Sequence, residues 1–208
     1  MSEVPPEFYD EKYFEGSQKT KSNYEAYHLS EGIFRVAAYM IATMFRCKLS
    51  LDVGCAYGFL TKYLRHGMHV GIDVSKYAIA QRRVTNRLLL ASATDLPFRD
   101  NTFELVTSFE TTEHLSEENI LKMYQEIERV GKKWVFITSP HPDNHPEEDP
   151  TDYDKSHISK KPEEDWIKHG TDLGWYYDTK KVQQAKAFQI VQSYQWQVMV
   201  FDLSKRNL

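Results

Sequence analysis

The chain of 208 residues carries 26 basic and 30 acidic side chains, a formal net charge of −4 and a sequence pI of about 6.1. That balance excludes a broad electrostatic grip on nucleic acid, and two cysteines, Cys47 and Cys55, exclude a disulfide framework or a CxxC metal knot. The longest apolar run, 33–45, is broken by Arg35 and is too short to cross a bilayer, and residues 2–14 carry Pro5, Pro6 and four acidic side chains instead of a secretory leader, so a cytoplasmic protein is expected.

In chain order, residues 2–18 form a polar arm studded with Phe8, Tyr9, Tyr13 and Phe14. Those rings either pin the arm to the body or cover a ligand site. Residues 24–46 predict a helix, because Ile33, Phe34, Ala37, Ala38, Ile41 and Phe45 recur near the 3.6-residue period. Residues 48–53 predict a buried strand with Leu49, Leu51 and Val53 at period two. Gly54 and Gly58 bracket the turn behind it, where glycine permits positive φ and close approach of a ligand. Phe59, Leu60, Tyr63 and Leu64 then open a helix whose first N–H groups suit an anion. A second strand, 69–73, ends on Asp73, nineteen positions after Gly54. At that spacing a nucleotide-binding sheet sets an acid against ribose hydroxyls, both of which a carboxylate can accept. The alternative is that Asp73 caps a helix running from Ser75 to about Asn86.

A third strand at 87–92, a loop at 93–98 and a turn at 100–102 lead to a fourth strand at 103–109. Ser116 is the expected N-cap of a helix at 117–130 that carries Ile120, Met123, Tyr124 and Ile127 on one face. Residues 133–139 are apolar enough for a central strand. Pro140, Pro142, Pro146 and Pro150 then fall among Glu147, Glu148, Asp149, Asp152 and Asp154, in a long irregular loop of the kind that is often functional. A helix over 162–173 stops at Gly174 and another is expected at 178–187. The alternation over 189–203 reads as strand, one or two antiparallel runs at the sheet edge. The order predicts an α/β fold: a Rossmann-like, doubly wound, mostly parallel seven-stranded sheet with helices on both faces and an antiparallel edge strand. We read 1–208 as a single domain, with an arm and helix at 1–46, a cofactor-binding core at 47–139 and a lid loop and substrate-side segment at 140–208.

Four motifs stand at successive strand ends: Leu-Asp-Val-Gly-Cys-Ala-Tyr-Gly at 51–58, Gly-Ile-Asp-Val-Ser at 71–75, Ala-Thr-Asp-Leu-Pro-Phe at 93–98 and Phe-Glu-Leu-Val-Thr-Ser-Phe-Glu at 103–110. On these, over roughly 9–173, the chain resembles the class I S-adenosylmethionine-dependent methyltransferases, and within them the broad small-molecule group called type 11. The resemblance implies S-adenosylmethionine as cofactor. By it, Asp52, Gly54, Cys55, Ala56, Tyr57 and Gly58 would contact the methionine portion and Asp73 the ribose. Thr94, Asp95 and Leu96 would flank the adenine, with Asp95 accepting its amine, and Ser108 and Phe109 would line the far side. The chain departs from the family at Ala56, where glycine is usual, and at Val130-Gly131-Lys132-Lys133, where Pro-Gly-Gly is usual. A nicotinamide enzyme would need Gly-x-Gly-x-x-Gly, which the chain lacks. No Asn-Pro-Pro-Tyr type sequence for adenine methylation, and no cysteine for attack on a pyrimidine, follows the fourth strand.

A second constellation begins where the fourth strand ends. Glu110, Glu113 and His114 fall within five residues, and His157 follows later in Asp154-Lys155-Ser156-His157. A hydroxyl accepts a methyl group only if a base takes its proton or a divalent cation lowers its pKa. Glu110, His114 and His157 are the acid/base candidates, with His114 or His157 as the base. Glu110, Glu113, His114 and His157 are the candidate ligands of a divalent metal. That set is similar to the metal-binding residues of RNA 3′-end 2′-O-methyltransferases and ubiquinone-pathway O-methyltransferases. His141 and His145 are lesser candidates, read as solvated loop residues. The expected function is methylation, at oxygen, of a small-molecule acceptor, without nucleic acid or membrane partners. The alternatives are a metal-dependent RNA ribose 2′-O-methyltransferase and a non-catalytic regulator that binds the cofactor.

Overall fold

The computed structural model describes residues 4–15, 27–65, 67–81, 87–142, 154, 156–188, 191 and 195–206, with the backbone alone at 27–30. The last part, 82–86, of the helix expected from Ser75 to about Asn86, the proline-rich loop at 143–153 with His145, and parts of 189–194 lie outside them. The strands are β1 (Leu49–Val53), β2 (Met68–Asp73), β3 (Leu88–Leu90), β4 (Phe103–Phe109), β5 (Gly131–Pro140), β6 (Tyr176–Tyr177) and β7 (Trp196–Asp202). They form one sheet in the order β3-β2-β1-β4-β5-β7-β6. β1 pairs in parallel with β2 and β4, β2 with β3, and β4 with β5. β7 runs antiparallel to β5 and to β6. The order reverses between β1 and β4, and a doubly wound sheet holds its ligand at that crevice.

The helices are α1 (Glu11–Phe14), α2 (Tyr27–Met44), α3 (Phe59–Tyr63), α4 (Lys76–Gln81), α5 (Glu117–Val130), α6 (Glu163–Asp172) and α7 (Thr179–Lys186). Strand alternation sends consecutive residues to opposite faces, and both faces are covered. Val106, Val135, Ile137, Met199 and Phe201 pack under α5 and α6 with Ile120, Met123, Tyr124, Ile127 and Trp166. Leu105, Phe136, Val198 and Val200 pack under α2 and α7 with Ala37, Ile41, Phe45, Val182 and Ala185. This double burial explains the unbroken apolar stretches Trp134–Ile137 in β5 and Val198–Phe201 in β7.

Of the two forms expected for 189–203, the described residues show one antiparallel strand, Trp196–Asp202, which lies between β5 and the two-residue Tyr176–Tyr177. Gly174, at φ 80, reverses the chain after α6 and delivers those two residues against β7. A two-residue strand is too short to show a period in sequence. β7 is buried along its whole length, including Gln197 and Asp202, so its polar positions do not mark a solvent face.

Candidate active site

The turn after β1 folds as its glycines require. Gly54 and Gly58 sit at φ 76 and 79, and Ala56 takes φ 46 between them. A Cβ at Gly54 would collide with the Thr111 side chain, so this glycine lets the turn after β4 close on the turn after β1. Asp73 ends β2 and fastens this turn: its Oδ2 accepts the Ala56 N–H at 2.8 Å and its Oδ1 the Ser75 N–H at 2.8 Å. Burial raises the Asp73 pKa, and the amides of Ser75, Ala56 and Val74 act against that rise. The cap of α4 is Ser75, whose Oγ accepts the Ala78 N–H at 3.0 Å.

Gly54, Ala56, Asp73 and Thr111 line a cavity of about 280 Å³. Gly54, Ala56 and Asp73 form one side, and Ala91 to Thr94 form the next. Glu110, Thr111, His114, Leu115 and Asn119 form the far wall. Val4, Pro6, Tyr9, Tyr13 and Phe14 close the cavity from the N-terminal arm. The arm therefore does both things expected of it: its rings pack on Tyr57, Phe59 and Ala78, and it also covers the pocket.

The other cofactor candidates surround the cavity without lining it. Asp52 lies beneath, 5% exposed, and accepts the Thr107 hydroxyl at 2.8 Å. Burial pushes its pKa up to about 7, against the Thr107 bond. Cys55 packs with Ile79 and Leu88, and Tyr57 with the arm. Gly58 is the N-cap of α3. Asp95 bridges back to Ser92, and Leu96 enters the core. Ser108 is fully buried, and Phe109 stacks on Phe136 at 5.3 Å between ring centroids.

Beyond Phe109 the chain turns sharply. Glu110 stands at φ 49, and Thr112–His114 form one 3-10 turn. This turn brings Glu113, His114 and His157 together, with one ligand atom of each within 4.8 Å of the others. The His114 and His157 rings meet edge to face at 4.7 Å. Glu110 stands outside that group but near enough for its charge to raise the pKa of Glu113. Glu113 is 1% exposed, and neither of its oxygens has a hydrogen-bond partner among the described residues. Burial, and then the neighbouring Glu110, raise Glu113 well above the carboxylate range, and burial also raises Glu110. Two such carboxyls so close do not both ionise readily at neutral pH.

Asp154 and Ser156, which the motifs did not single out, complete the site. The Ser156 N–H and hydroxyl both donate to Asp154 Oδ1, the amide at 2.9 Å. Tyr13 donates its hydroxyl to Asp154 Oδ2 at 2.6 Å, and His157 Nε2 lies 3.8 Å from the same oxygen. Ser156 Oγ is 2.7 Å from His114 Nδ1. Burial opposes charge on Asp154, but His114, His157, Ser156 and Tyr13 together hold its pKa below the usual range. Burial lowers the His114 pKa, against Asp154 and the Ser156 backbone. The segment is anchored to the turn after β4, since the Ser159 N–H donates to Glu113 O at 2.9 Å and its hydroxyl to Leu115 O at 2.6 Å. An aspartate two residues before a serine, next to a histidine, was the visible signal. His141 follows β5 as an exposed residue and lines a different hollow, with Trp196 and Gln197.

Residues 51–137 match the family model described as a methyltransferase domain. A curated relative, the uncharacterised protein MJ0638 of Methanocaldococcus jannaschii, is 33% identical over 84 residues, which make up 40% of this chain and 36% of that protein. The match thus spans little more than a third of the relative. Among solved structures, a Haloferax volcanii chain described as a methyltransferase, in complex with the Trm112 methyltransferase activator, superposes with a TM-score of 0.67 at 15% identity, covering 88% of this chain and 95% of that one. The plantazolicin methyltransferase BpumL in complex with SAH gives 0.60 at 14% identity, with 83% of each chain covered. A SAM dependent methyltransferase from Aquifex aeolicus gives 0.55 at 19%, covering 79% of this chain and 87% of that one. At these identities the likeness establishes the shared fold.

Proposed function

We propose that this chain, whose residues 51–137 match the methyltransferase-domain family model, transfers a methyl group from S-adenosylmethionine to an oxygen of a small-molecule acceptor. The observation that carries this reading is one continuous cavity. Its near walls are the glycine turn, Asp73 and Thr94, and its far wall is Glu110 and His114. When bound, S-adenosylmethionine supplies a methyl group on a positively charged sulfur. Asp73, at the end of β2, is placed to accept ribose hydroxyls, since each oxygen keeps a lone pair beyond its amide bond. Gly54 and Ala56 give the methionine portion an approach to backbone, and 91–94 give the adenine a wall. A neutral His114 is placed to take the acceptor's proton as the new O–C bond forms.

The small acceptor is favoured by the lining. No lysine or arginine lines the cavity among the described residues, so nothing there would neutralise a phosphate backbone. Tyr9, Tyr13 and Phe14 close it with aromatic surface suited to a compact, partly apolar molecule.

A second reading, in which a divalent cation assists, is favoured by Glu113. A buried carboxyl with no hydrogen-bond partner is costly, and a cation beside His114 and His157 would relieve that cost. Glu113, His114 and His157 would hold it, with Glu110 adjacent. Mixed carboxylate and imidazole donors suit Mg, Mn, Fe or Zn. The cation would lower the pKa of an acceptor hydroxyl.

A panel of hydroxylated acceptors assayed for demethylated cofactor, with and without chelator, tests both readings. Turnover that His114→Ala abolishes supports the enzyme, and turnover unaffected by chelator removes the metal. No turnover on any acceptor, with cofactor bound, would favour a regulator.

A further inference from the structure

We infer that Asp154 and Ser156 are positioning residues that fix the tautomer of His114, leaving Nε2 as its unprotonated nitrogen. The argument is a count of protons. Asp154 receives three donors: the Ser156 amide and hydroxyl on Oδ1 and the Tyr13 hydroxyl on Oδ2. A group that accepts three times serves as a carboxylate, which has nothing to donate. The Ser156 hydroxyl owns one proton and gives it to Asp154. Its oxygen can then only accept from the ring nitrogen 2.7 Å away, so His114 Nδ1 carries the hydrogen.

An imidazole with hydrogen on Nδ1 has its lone pair on Nε2. That is the nitrogen left to face the acceptor or a cation. In water imidazole side chains favour the opposite tautomer, so the relay works against the intrinsic preference. Glu113 cannot take over the task, because neither of its oxygens bonds any described group. The same carboxylate that sets the ring also holds Tyr13, so the histidine is oriented when the arm is closed over the cavity. This inference rests on the proposed reading for the use made of Nε2. The tautomer itself does not.

The test is long-range proton–nitrogen correlation on the full chain with labelled histidines and no cofactor, at a pH where His114 is neutral. The expected spectrum shows His114 with hydrogen on Nδ1, and Ser156→Ala or Asp154→Asn shifts it towards the Nε2–H form. Ser156→Thr, which keeps a hydroxyl, restores the original pattern. An Nε2–H signature in the unaltered chain overturns the inference, and this readout does not depend on any variant folding. So does a Ser156→Ala spectrum unchanged from the parent. Where an acceptor is turned over, Ser156→Ala should lower kcat by about 10- to 100-fold with KM little changed. A fixed tautomer in a chain that transfers no methyl group would leave the inference standing and overturn the proposed function alone.

Discussion

Glu113 concentrates the electrostatic tension of the molecule. It is buried beside a second raised carboxyl, Glu110, and Asp52 adds a third, at about 7. Each folded-state pKa lies above its unfolded value, so the stability these acids contribute is fully present below about pH 4 and is lost as pH rises through the folded values. Without cofactor or metal, the melting temperature should fall between pH 5 and pH 8. Glu113→Gln should flatten that fall, melting with the parent at pH 5 and above it at pH 8. A variant that melts below the parent at pH 8 would show that the charge is compensated by something beyond this geometry. Mn or Mg should raise the parent's melting temperature more at pH 8 than at pH 5, because the cation binds the ionised carboxylate. An equal response at both pH values, or none, counts against the metal.

The N-terminal arm forms one wall of the pocket. Its hold on the body passes through Tyr13, whose hydroxyl meets Asp154 at 2.6 Å, and through Ser75, whose hydroxyl donates to Tyr9 O at 2.6 Å. A hydrogen bond to a charged acceptor contributes about 1.5–3 kcal/mol. Tyr13→Phe should therefore weaken binding of the demethylated cofactor by roughly tenfold in calorimetry. Unchanged affinity would mean that the arm does not hold the closed pocket. Beneath the site, Phe136 is fully buried and stacks on Phe109. Phe136→Ala should cost about 3–5 kcal/mol in denaturant unfolding, and a cost under ~1 kcal/mol would show that α2 and α7 repack over the gap. The strands and long helices were legible from sequence because double burial and amphipathic faces impose periods of their own, as in α5 with Ile120, Met123, Tyr124 and Ile127. The two-residue β6 imposes none. Asp154 and Ser156 were hidden because their role arises only when a distant loop folds onto the turn after β4. Glu113 could be named from its motif, but its lack of hydrogen-bond partners is a fact of packing.

At the scale of the whole molecule, the carboxyl ends of the strands gather a carboxyl-lined cavity where the sheet order reverses, with no lysine or arginine among the described lining residues. Asp73 faces it from β2, and Glu110 and His114 face it from the turn after β4. A cationic sulfonium suits such a field better than a polyphosphate would. The donor half of the account depends on Asp73, and the acceptor half depends on what lies across the cavity from it. Calorimetry with S-adenosylmethionine on the parent and on Asp73→Ala tests that arrangement most directly. The account predicts one site per chain and at least a tenfold loss of affinity in the variant, whose melting curve should show that it remains folded. No binding by the parent, or equal affinity in a folded Asp73→Ala, would contradict it.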